Sequence, residues 1–502
     1  MAVNQLKAGA ALNYVILGLN AITGLLYTPY MLRMLGQSEY GIYSLAASVI
    51  AYLSMLDFGF GNAVIRYTAK YRAEGKKEEQ YELFGMFSKL YCAIGLLTML
   101  AGMVLYFFLD SLFGDTLSAV ELSRTKIIVL LMVFNLAFSF PLSIYGAIIT
   151  AYENFVFLRV VQIARIILNL AVMIALLSFG FKAIAMVVVN TIFNFLALGI
   201  NILYCYRKLD VKIKFTPIKW TLFREIAVYS FWIFLNVIMD RIYWSTGQFI
   251  LGATAGTISV AVFSVAIQIE GIYMTFSTAI SGVFLPKVTA MVTKKGSQKE
   301  VSDLFIRTGR IQYCILAFIL SGFIVFGQDF INVWAGKGYH DSYLITLVFL
   351  IPLTIPLIQN LGITILQARN QMKFRSLLYI TIALFSLCFQ IPLAKYYEGI
   401  GCAWAISGAL VVGNILILNI YYHKKQSIDM ISFWKNILNM SMVPFVMVFV
   451  TYLFKKHIQI NSILEFAMAI ICFSIVYIPL FWKFSMNQYE RNLIYNLLKR
   501  NN

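Results

Sequence analysis

The sequence predicts an all-α polytopic membrane protein with about fourteen transmembrane helices, and three observations support this class. First, 61% of the 502 residues are hydrophobic and 12% are charged, with a mean hydropathy of +0.80. Soluble domains are nearer half apolar and a quarter charged. Second, apolar runs of about 20 residues, the length that crosses a bilayer, recur along the whole chain. Third, the two halves of the chain repeat a common pattern of residues.

The apolar runs divide the chain into fourteen predicted spans with short polar segments between them. The spans cover approximately residues 10–32, 41–60, 85–109, 127–150, 160–180, 183–205, 226–249, 257–282, 311–333, 343–366, 376–394, 400–422, 434–454 and 463–482. The first run is too long for a signal peptide and has no small-residue cleavage site, so we expect a retained helix. The longest polar stretches, 61–83, 206–225 and 287–310, are predicted to be inner loops.

The distribution of basic residues predicts the orientation of the chain. A net charge of +18 would suit a nucleic-acid-binding protein, but the charges alternate between the two sides of the predicted membrane. With the N-terminus inside, the inner segments carry 30 lysines and arginines and the outer segments carry 8. Cytoplasmic loops are enriched in these residues, so we expect both termini in the cytoplasm and no nucleic-acid partner.

Two segments of the chain resemble each other at a constant spacing. Residues 149–159 and 365–375 align so that Asn154 matches Asn370 and Arg159 matches Arg375, each 216 positions apart. Spans 1–6 and 7–12 are therefore predicted to be two parallel repeats related by a pseudo-two-fold axis along the membrane normal, an arrangement typical of transporters. We expect six-helix bundles over 1–210 and 211–425, and two extra helices over 426–502.

Charged residues inside the predicted spans are candidates for function, since each costs a few kcal/mol to insert. Arg241 and Glu270 could form a structural ion pair between spans 7 and 8. Alternatively, Arg241 binds a diphosphate or an acidic sugar through its forked guanidinium, and Asp240 or Glu270 couples transport to an ion. Asp57 in span 2 is a further candidate for ion coupling. Both interpretations are open.

Basic residues near the starts of spans also have two interpretations. Arg159, Arg165 and Arg375 begin spans 5 and 11, where arginines commonly anchor helices to the interface. The duplicated Arg159 and Arg375 would alternatively meet a diphosphate entering from the inner leaflet. Lys89 in span 3 either snorkels to the interface or contacts substrate. Amides within spans either line a sugar-binding cavity or join helices; they are Asn20, Asn169, Asn194, Asn236, Gln248, Gln268, Gln359 and Asn360.

The sequence contains no pattern typical of an enzyme or a metal site. The six cysteines form no CxxC pair, and the three histidines are scattered over loops on both sides. We find no nucleophile elbow, glycine-rich phosphate loop or HExxH motif, and no outer segment exceeds about 20 residues. We therefore expect neither a metal nor a cofactor and no catalytic activity, which makes a membrane-bound polymerase or ligase an unfavoured alternative.

Specific motifs resemble those of a known transporter family. In the first half they are Asn13-Tyr14, Leu35-Gly36, residues 40–46 (YGIYSLA) and residues 57–63 (DFGFGNA). The second half contributes Trp232, Asn236, Asp240-Arg241, Leu251-Gly252, residues 262–266 (VFSVA) and Pro286. Together these motifs resemble the polysaccharide flippases, the Wzx-type oligosaccharide translocases of the MATE-like superfamily. Where that family carries a basic residue in span 8, this chain has Glu270.

The resemblance implies a function and a location. A flippase of this family would move undecaprenyl-pyrophosphate-linked oligosaccharide units across the bacterial cytoplasmic membrane by alternating access, for O-antigen, capsule or exopolysaccharide synthesis. Its partners would be the lipid-linked substrate, membrane lipids, and the polymerase or export machinery. The alternatives within the superfamily are a cation-coupled multidrug exporter and a lipid II flippase.

Overall fold

The computed structural model describes residues 5–217, 220–293, 298–369, 371–455, 460 and 462–499, which are nearly all helical and contain no strand. The predicted all-α class is confirmed. The helices are α1 Gln5–Ile22, α2 Thr28–Leu35, α3 Gln37–Leu53, α4 Phe60–Ala73, α5 Lys77–Phe113, α6 Ala119–Ala151, α7 Phe155–Ser178, α8 Ala183–Lys208, α9 Trp220–Trp244, α10 Thr246–Thr254, α11 Gly256–Thr293, α12 Gln298–Trp334, α13 Ser342–Ile358, α14 Leu361–Ala368, α15 Met372–Leu410, α16 Leu418–Lys424, α17 Met430–Lys455, α18 Ile463–Phe484 and α19 Gln488–Lys499.

Helix length and hydropathy identify the membrane-spanning elements. Among the described residues, eleven helical segments are long and apolar enough to cross a bilayer, or twelve if α13 and α14, bent by 43°, form one broken span. The segment Met372–Lys424 has 53 residues, roughly 80 Å of helix against a hydrocarbon core of about 30 Å. The left-handed backbone of Glu398 (φ 48°) divides it into two candidate spans. The sequence predicted fourteen spans, and that number stays a prediction.

The prediction of inner loops is wrong for two of the three stretches, which are helical over most of their length. Within 61–83, α4 continues to Ala73 and α5 begins at Lys77; within 287–310, α11 continues to Thr293 and α12 begins at Gln298. Lysine, glutamate, glutamine and arginine, which made these stretches look like loops, are good helix formers in water. The polar composition therefore marks where helices leave the membrane rather than where they end. In the third stretch, residues 210–217 are not helical.

The chain divides into two compact units, residues 1–261 and 262–502. The first contains α1–α10 and the beginning of α11. Small residues let its long helices α5 and α6 approach closely: a Cβ on Gly95 would collide with the carbonyl of Ala137, and one on Gly102 with the side chain of Val133. Aromatic residues of α4 and α5, including Phe60, fill a buried core against α6.

The second predicted span is discontinuous inside the first unit. Helix α3 ends at Leu53, a 3₁₀ turn covers Ser54–Asp57, and Phe58 (φ 50°) and Gly59 (φ 73°) are left-handed before α4 begins. Phenylalanine adopts this backbone conformation only when its surroundings impose it. Irregular backbone at membrane depth is tolerated where it is buried in protein or lines an aqueous cavity.

The second unit contains the rest of α11 and α12–α19. Helices α17 and α18 pack against α12 through a buried aromatic and methionine cluster that includes Phe326, Met440, Phe473 and Tyr477. The two helices that lie beyond the predicted repeats are therefore integrated into this unit. The predicted division at residues 210 and 425 stays a prediction.

The C-terminal helix α19 is fixed to the second unit by a buried ion pair. Arg310 is 5% exposed and Glu490 is 3% exposed. The Arg310 guanidinium donates to both carboxylate oxygens of Glu490, at 2.5 and 2.9 Å, to Asn436 Oδ1 at 3.1 Å and to the Ser485 carbonyl at 3.2 Å. Every part of the pair is thus hydrogen-bonded.

We expect Glu490→Gln to destabilise the protein by about 3 kcal/mol, since it leaves the Arg310 charge buried without a counterion. The measurement is the thermal unfolding of the purified protein in detergent. Glu74→Gln, which breaks the exposed Glu74–Lys76 pair, is the matched control and should leave the melting temperature unchanged. Equal melting temperatures for the two variants would show that the buried pair adds nothing to stability.

Candidate substrate-binding cavity

A cavity of about 370 Å³, lined by both polar and apolar residues, lies within the first unit between α3, α6, α7 and α8. Tyr43 and Ser54 line it from the second span. The other helices contribute an arginine and three asparagines, which are Arg165, Asn135, Asn190 and Asn194, together with Ser139. A cavity that combines one cation with several amides can bind an acidic group and hydrogen-bond neighbouring hydroxyls.

Helices α6 and α8 each present two polar residues to the cavity at a spacing of four. Asn135 and Ser139 lie on one face of α6, and Asn190 and Asn194 lie on one face of α8. Residues four apart occupy neighbouring positions on a helix surface. From the sequence, Asn169 and Asn194 were among the amides that could line a cavity, and Asn194 does line this one. Sequence reasoning missed Asn135 and Asn190. The four-residue spacing of polar side chains within apolar spans is the signal that could have found them.

The amide side chains hold one another in fixed orientations. Asn194 Nδ2 donates to Asn135 Oδ1 at 2.8 Å and to Ser139 Oγ at 2.6 Å. Asn169 Nδ2 donates to Asn190 Oδ1 at 2.9 Å. These bonds join α6, α7 and α8, so the same amides that line the cavity also connect its walls.

Arg165 supplies the positive charge of the cavity. It lies ten residues after the first residue of α7, roughly 15 Å along the helix axis, and therefore well inside the apolar span Phe155–Ser178. Its guanidinium has no hydrogen bond or ion pair to any other residue that the structure describes. This depth favours a role in the cavity over the interfacial anchoring that the sequence suggested. A half-buried guanidinium without a counterion is suited to an anionic ligand.

The first unit is closed at its predicted outer end by contacts that we call the outer contact: Gly41, Thr116, Glu121, Gly252 and Thr257. Glu121 accepts a hydrogen bond from Thr257 Oγ1 at 2.7 Å, and Thr116 Oγ1 donates to the Gly252 carbonyl at 2.6 Å. Gly41 of α3 lies directly against the Thr257 backbone. The end of α10 and the first turn of α11 are thereby held on α3 and the α5–α6 connection.

Three candidates from the sequence, Asp57, Lys89 and Arg159, do not line this cavity. Asp57 lies at the break after α3, where it hydrogen-bonds to the Tyr91 hydroxyl and the Gly59 backbone. Lys89 Nζ donates to the Thr216 carbonyl at 3.0 Å, so it binds the connection between α8 and α9. Arg159 bonds to Gln162 Oε1 at 3.1 Å on its own helix and is half-buried.

Asp240 and Arg241 lie near the C-terminal end of α9, and Glu270 lies in α11 in the other unit. Asp240 is exposed and Arg241 is half-buried. Glu270 is 3% exposed, and its Oε1 has no hydrogen-bond partner among the described residues. The pairing of Arg241 with Glu270 stays a prediction.

Each of the two duplicated segments includes a connection between two helices. The first connects α6 to α7, where Arg72 donates to the Ala151 carbonyl at 2.8 Å and burial raises the pKa of the Tyr152 phenol. The second connects α14 to α15, although Asn370 lies outside the described residues. Arg375, in the first turn of α15, lies over the Tyr379 ring at 4.4 Å, and its Nε is buried without a partner among the described residues.

Comparison with known proteins identifies the family of the chain. The model of the family described as "Polysaccharide biosynthesis protein" matches residues 6–292, which is more than half of the sequence. The chain belongs to this family. Over 396 residues it is 21% identical to the "Putative O-antigen transporter" of Shigella flexneri, a match that covers 78% of this chain and 92% of the relative.

Solved structures share the fold at low sequence identity. The lipid II flippase MurJ in an inward closed conformation superposes with a TM-score of 0.73 at 16% identity, covering 95% of this chain and 98% of MurJ. The MATE multidrug transporter DinF-BH gives a TM-score of 0.59 at 14% identity, covering 85% and 96%. The resemblance to a MATE-like fold is confirmed. These likenesses concern architecture, so the substrate has to be inferred from the cavity.

Proposed function

We propose that this protein is a flippase that translocates undecaprenyl-pyrophosphate-linked oligosaccharide units across the cytoplasmic membrane for surface polysaccharide synthesis. The observation that carries the proposal is the Arg165 cavity, where the arginine has no counterion among the described residues and three asparagines supply hydrogen-bonding amides. An oligosaccharide is rich in hydroxyls, and a diphosphate or acidic sugar supplies the anion. Membership of a polysaccharide biosynthesis family supports the same substrate class.

In this mechanism no covalent bond changes, so the chain is a transporter and not an enzyme. Arg165 binds the acidic group, and Asn135, Asn190 and Asn194 accept and donate hydrogen bonds to sugar hydroxyls. Opening the outer contact would release the head group to the outer leaflet, while the lipid tail stays in the bilayer. Alternating access would follow from this contact opening when the inner end closes.

The remaining candidates have narrower proposed roles. Arg375, with its unpartnered Nε, and Arg159 would meet the diphosphate at the inner leaflet, and Arg241 would contact it along the path. Glu270 is proposed as an ion-coupling group, because a buried carboxyl with an unpartnered oxygen can exchange a proton or bind a cation. Asp57 and Asp240 are weaker candidates for that role, since each already has a partner. Lys89 is proposed to act at the interface.

The nearest alternative is a lipid II flippase, which the shared fold with MurJ favours. Lipid II also carries a diphosphate and hydroxyl-rich sugars, so the cavity chemistry suits both substrates. A cation-coupled drug exporter fits less well, because an uncompensated guanidinium repels cationic drugs.

The test is deletion of the gene in its own host. We expect surface polysaccharide to be lost and lipid-linked repeat units to accumulate in the inner leaflet, where mass spectrometry would identify them. Accumulated lipid II with intact surface polysaccharide would instead establish the lipid II flippase. Unchanged lipid intermediates together with increased sensitivity to cationic drugs would instead indicate a multidrug exporter.

A further inference from the structure

A second cavity in the first unit, of about 650 Å³, lies beneath the connection between α8 and α9. Ser88, Tyr145, Tyr206, Asp210 and Lys212 provide its polar lining, and Cys92 and Leu142 are among its apolar residues. The polar groups lie where α8 ends and the chain leaves the predicted membrane. The cavity is therefore lined by apolar residues on one part of its surface and by polar residues on another.

The connection that roofs this cavity is firmly attached to α5 and α8. Lys214 N donates to the Tyr81 carbonyl at 3.1 Å, and Val211 N donates to the Cys205 carbonyl at 3.1 Å. Gly85 lies so close to the Lys214 backbone that a Cβ there would collide with it. The Lys89 ammonium binds the Thr216 carbonyl. Hydrogen bonds and close packing therefore hold the connection that covers the cavity in place.

The connection over the cavity carries more cations than carboxylates. Arg207, Lys208, Lys212 and Lys214 are exposed in this segment, against one exposed carboxylate, Asp210. Lys214 pairs with Glu78 of α5, which leaves the other three cations in excess. By the alternation of basic residues the segment lies at the cytoplasmic face, where anionic lipids create a negative surface potential. Nearby aromatic side chains are also exposed, with Phe215 66% exposed, as in the aromatic belts at the depth of lipid headgroups.

The two tyrosines leave a hydrogen-bond donor available in the cavity. Their hydroxyl oxygens are 3.1 Å apart, so one hydroxyl donates to the other. Each hydroxyl has one hydrogen, and the second has no acceptor among the described residues. That hydrogen and the Lys212 ammonium are donors that suit a phosphate oxygen.

We propose that this cavity binds an anionic glycerophospholipid of the cytoplasmic leaflet. Lys212 and the tyrosine pair bind the phosphate, Ser88 hydrogen-bonds the headgroup, and the acyl chains run over Cys92 and Leu142. This site is separate from the Arg165 cavity and requires no assumption about the transported substrate. An anionic lipid held here would fasten the connection between α8 and α9.

The experiment is native mass spectrometry of the purified full chain with phosphatidylglycerol or phosphatidylcholine. We expect one phosphatidylglycerol molecule to stay bound where phosphatidylcholine is stripped. Lys212→Gln should weaken its binding by about fivefold, the effect of about 1 kcal/mol for one lysine near a charged surface. Tyr145→Phe combined with Tyr206→Phe should also weaken it. Lys373→Gln, which removes an exposed lysine of the second unit, is the matched control.

Four outcomes would overturn the proposal. Three of them are equal retention of phosphatidylcholine, retention of phosphatidylglycerol that Lys212→Gln leaves unchanged, and an equal loss in Lys373→Gln. Displacement of the lipid by glycerol 3-phosphate at equal concentration would also overturn it, because the site would then recognise a free phosphate and not a membrane lipid.

Discussion

Replacing Arg165 by glutamine is expected to abolish or strongly reduce surface polysaccharide while the protein still inserts and folds. The guanidinium makes no bond to another described residue, so its loss should leave the melting temperature nearly unchanged. A charge-assisted hydrogen bond to substrate is worth about 1.5–3 kcal/mol, so transport should fall between about tenfold and about a hundredfold. The measurements are surface glycan per cell, the inner-leaflet pool of lipid-linked units and the melting temperature in detergent.

Two further variants separate the role of Arg165 in binding from a general effect of charge. Arg165→Lys keeps the charge but removes the two parallel donors, so we expect intermediate transport. Lys126→Gln removes one positive charge from α6, where Lys126 pairs with Asp110 at the surface, and transport should be normal. Full transport by Arg165→Gln would contradict the cavity as the binding site. A large fall in melting temperature would indicate a structural role instead.

The sequence was sufficient for the fold class and the family, because both depend on composition and on residues close in the chain. Apolar runs of bilayer length require helices whose backbone groups are satisfied internally. The same reasoning misjudged the polar stretches between spans, since α4 and α11 extend beyond the predicted spans as regular helices. Charge marks the membrane boundary but does not end a helix.

The candidate site was only partly predictable, because it depends on contacts between distant parts of the chain. Asn135 and Asn194 are 59 positions apart and yet hydrogen-bonded. Lys89 contacts Thr216, 127 positions away, which no local pattern could indicate. Arg165 was recognised as a basic residue near the start of a span. Its depth became apparent only because α7 begins at Phe155, before the predicted span.

For Glu270, the sequence predicted the location of the side chain but not its role. The sequence correctly indicated an acidic residue within a span, and the structure finds its side chain 3% exposed. Whether such a carboxyl serves an ion or the packing of the unit depends on what approaches it during transport, which a pattern of charges does not encode. Its role in coupling therefore rests on the proposed transport cycle.

Replacing Gly41 by valine is expected to abolish transport by preventing closure of the outer contact. A Cβ at residue 41 would lie under 3.0 Å from the Thr257 backbone, a separation that real Cβ atoms essentially never show. The neighbour is backbone and cannot rotate away, so the first turn of α11 must move off α3. Overpacking of this kind costs about 1–3 kcal/mol, which shifts a conformational equilibrium by about fivefold to about 150-fold. The described closed arrangement would become a minor state.

Labelling of an added cysteine can detect this shift directly. Thr116→Cys lies within the outer contact, and a membrane-impermeant maleimide should label it faster in the Gly41→Val background than in the Gly41 background. Gly18→Val is the matched control, because nothing lies within 4 Å of the added Cβ, and both labelling and transport should be normal. Lost transport with unchanged labelling would indicate a folding defect. Normal transport would mean that closure at Gly41 is not required. It would therefore contradict the proposed role of the outer contact in alternating access.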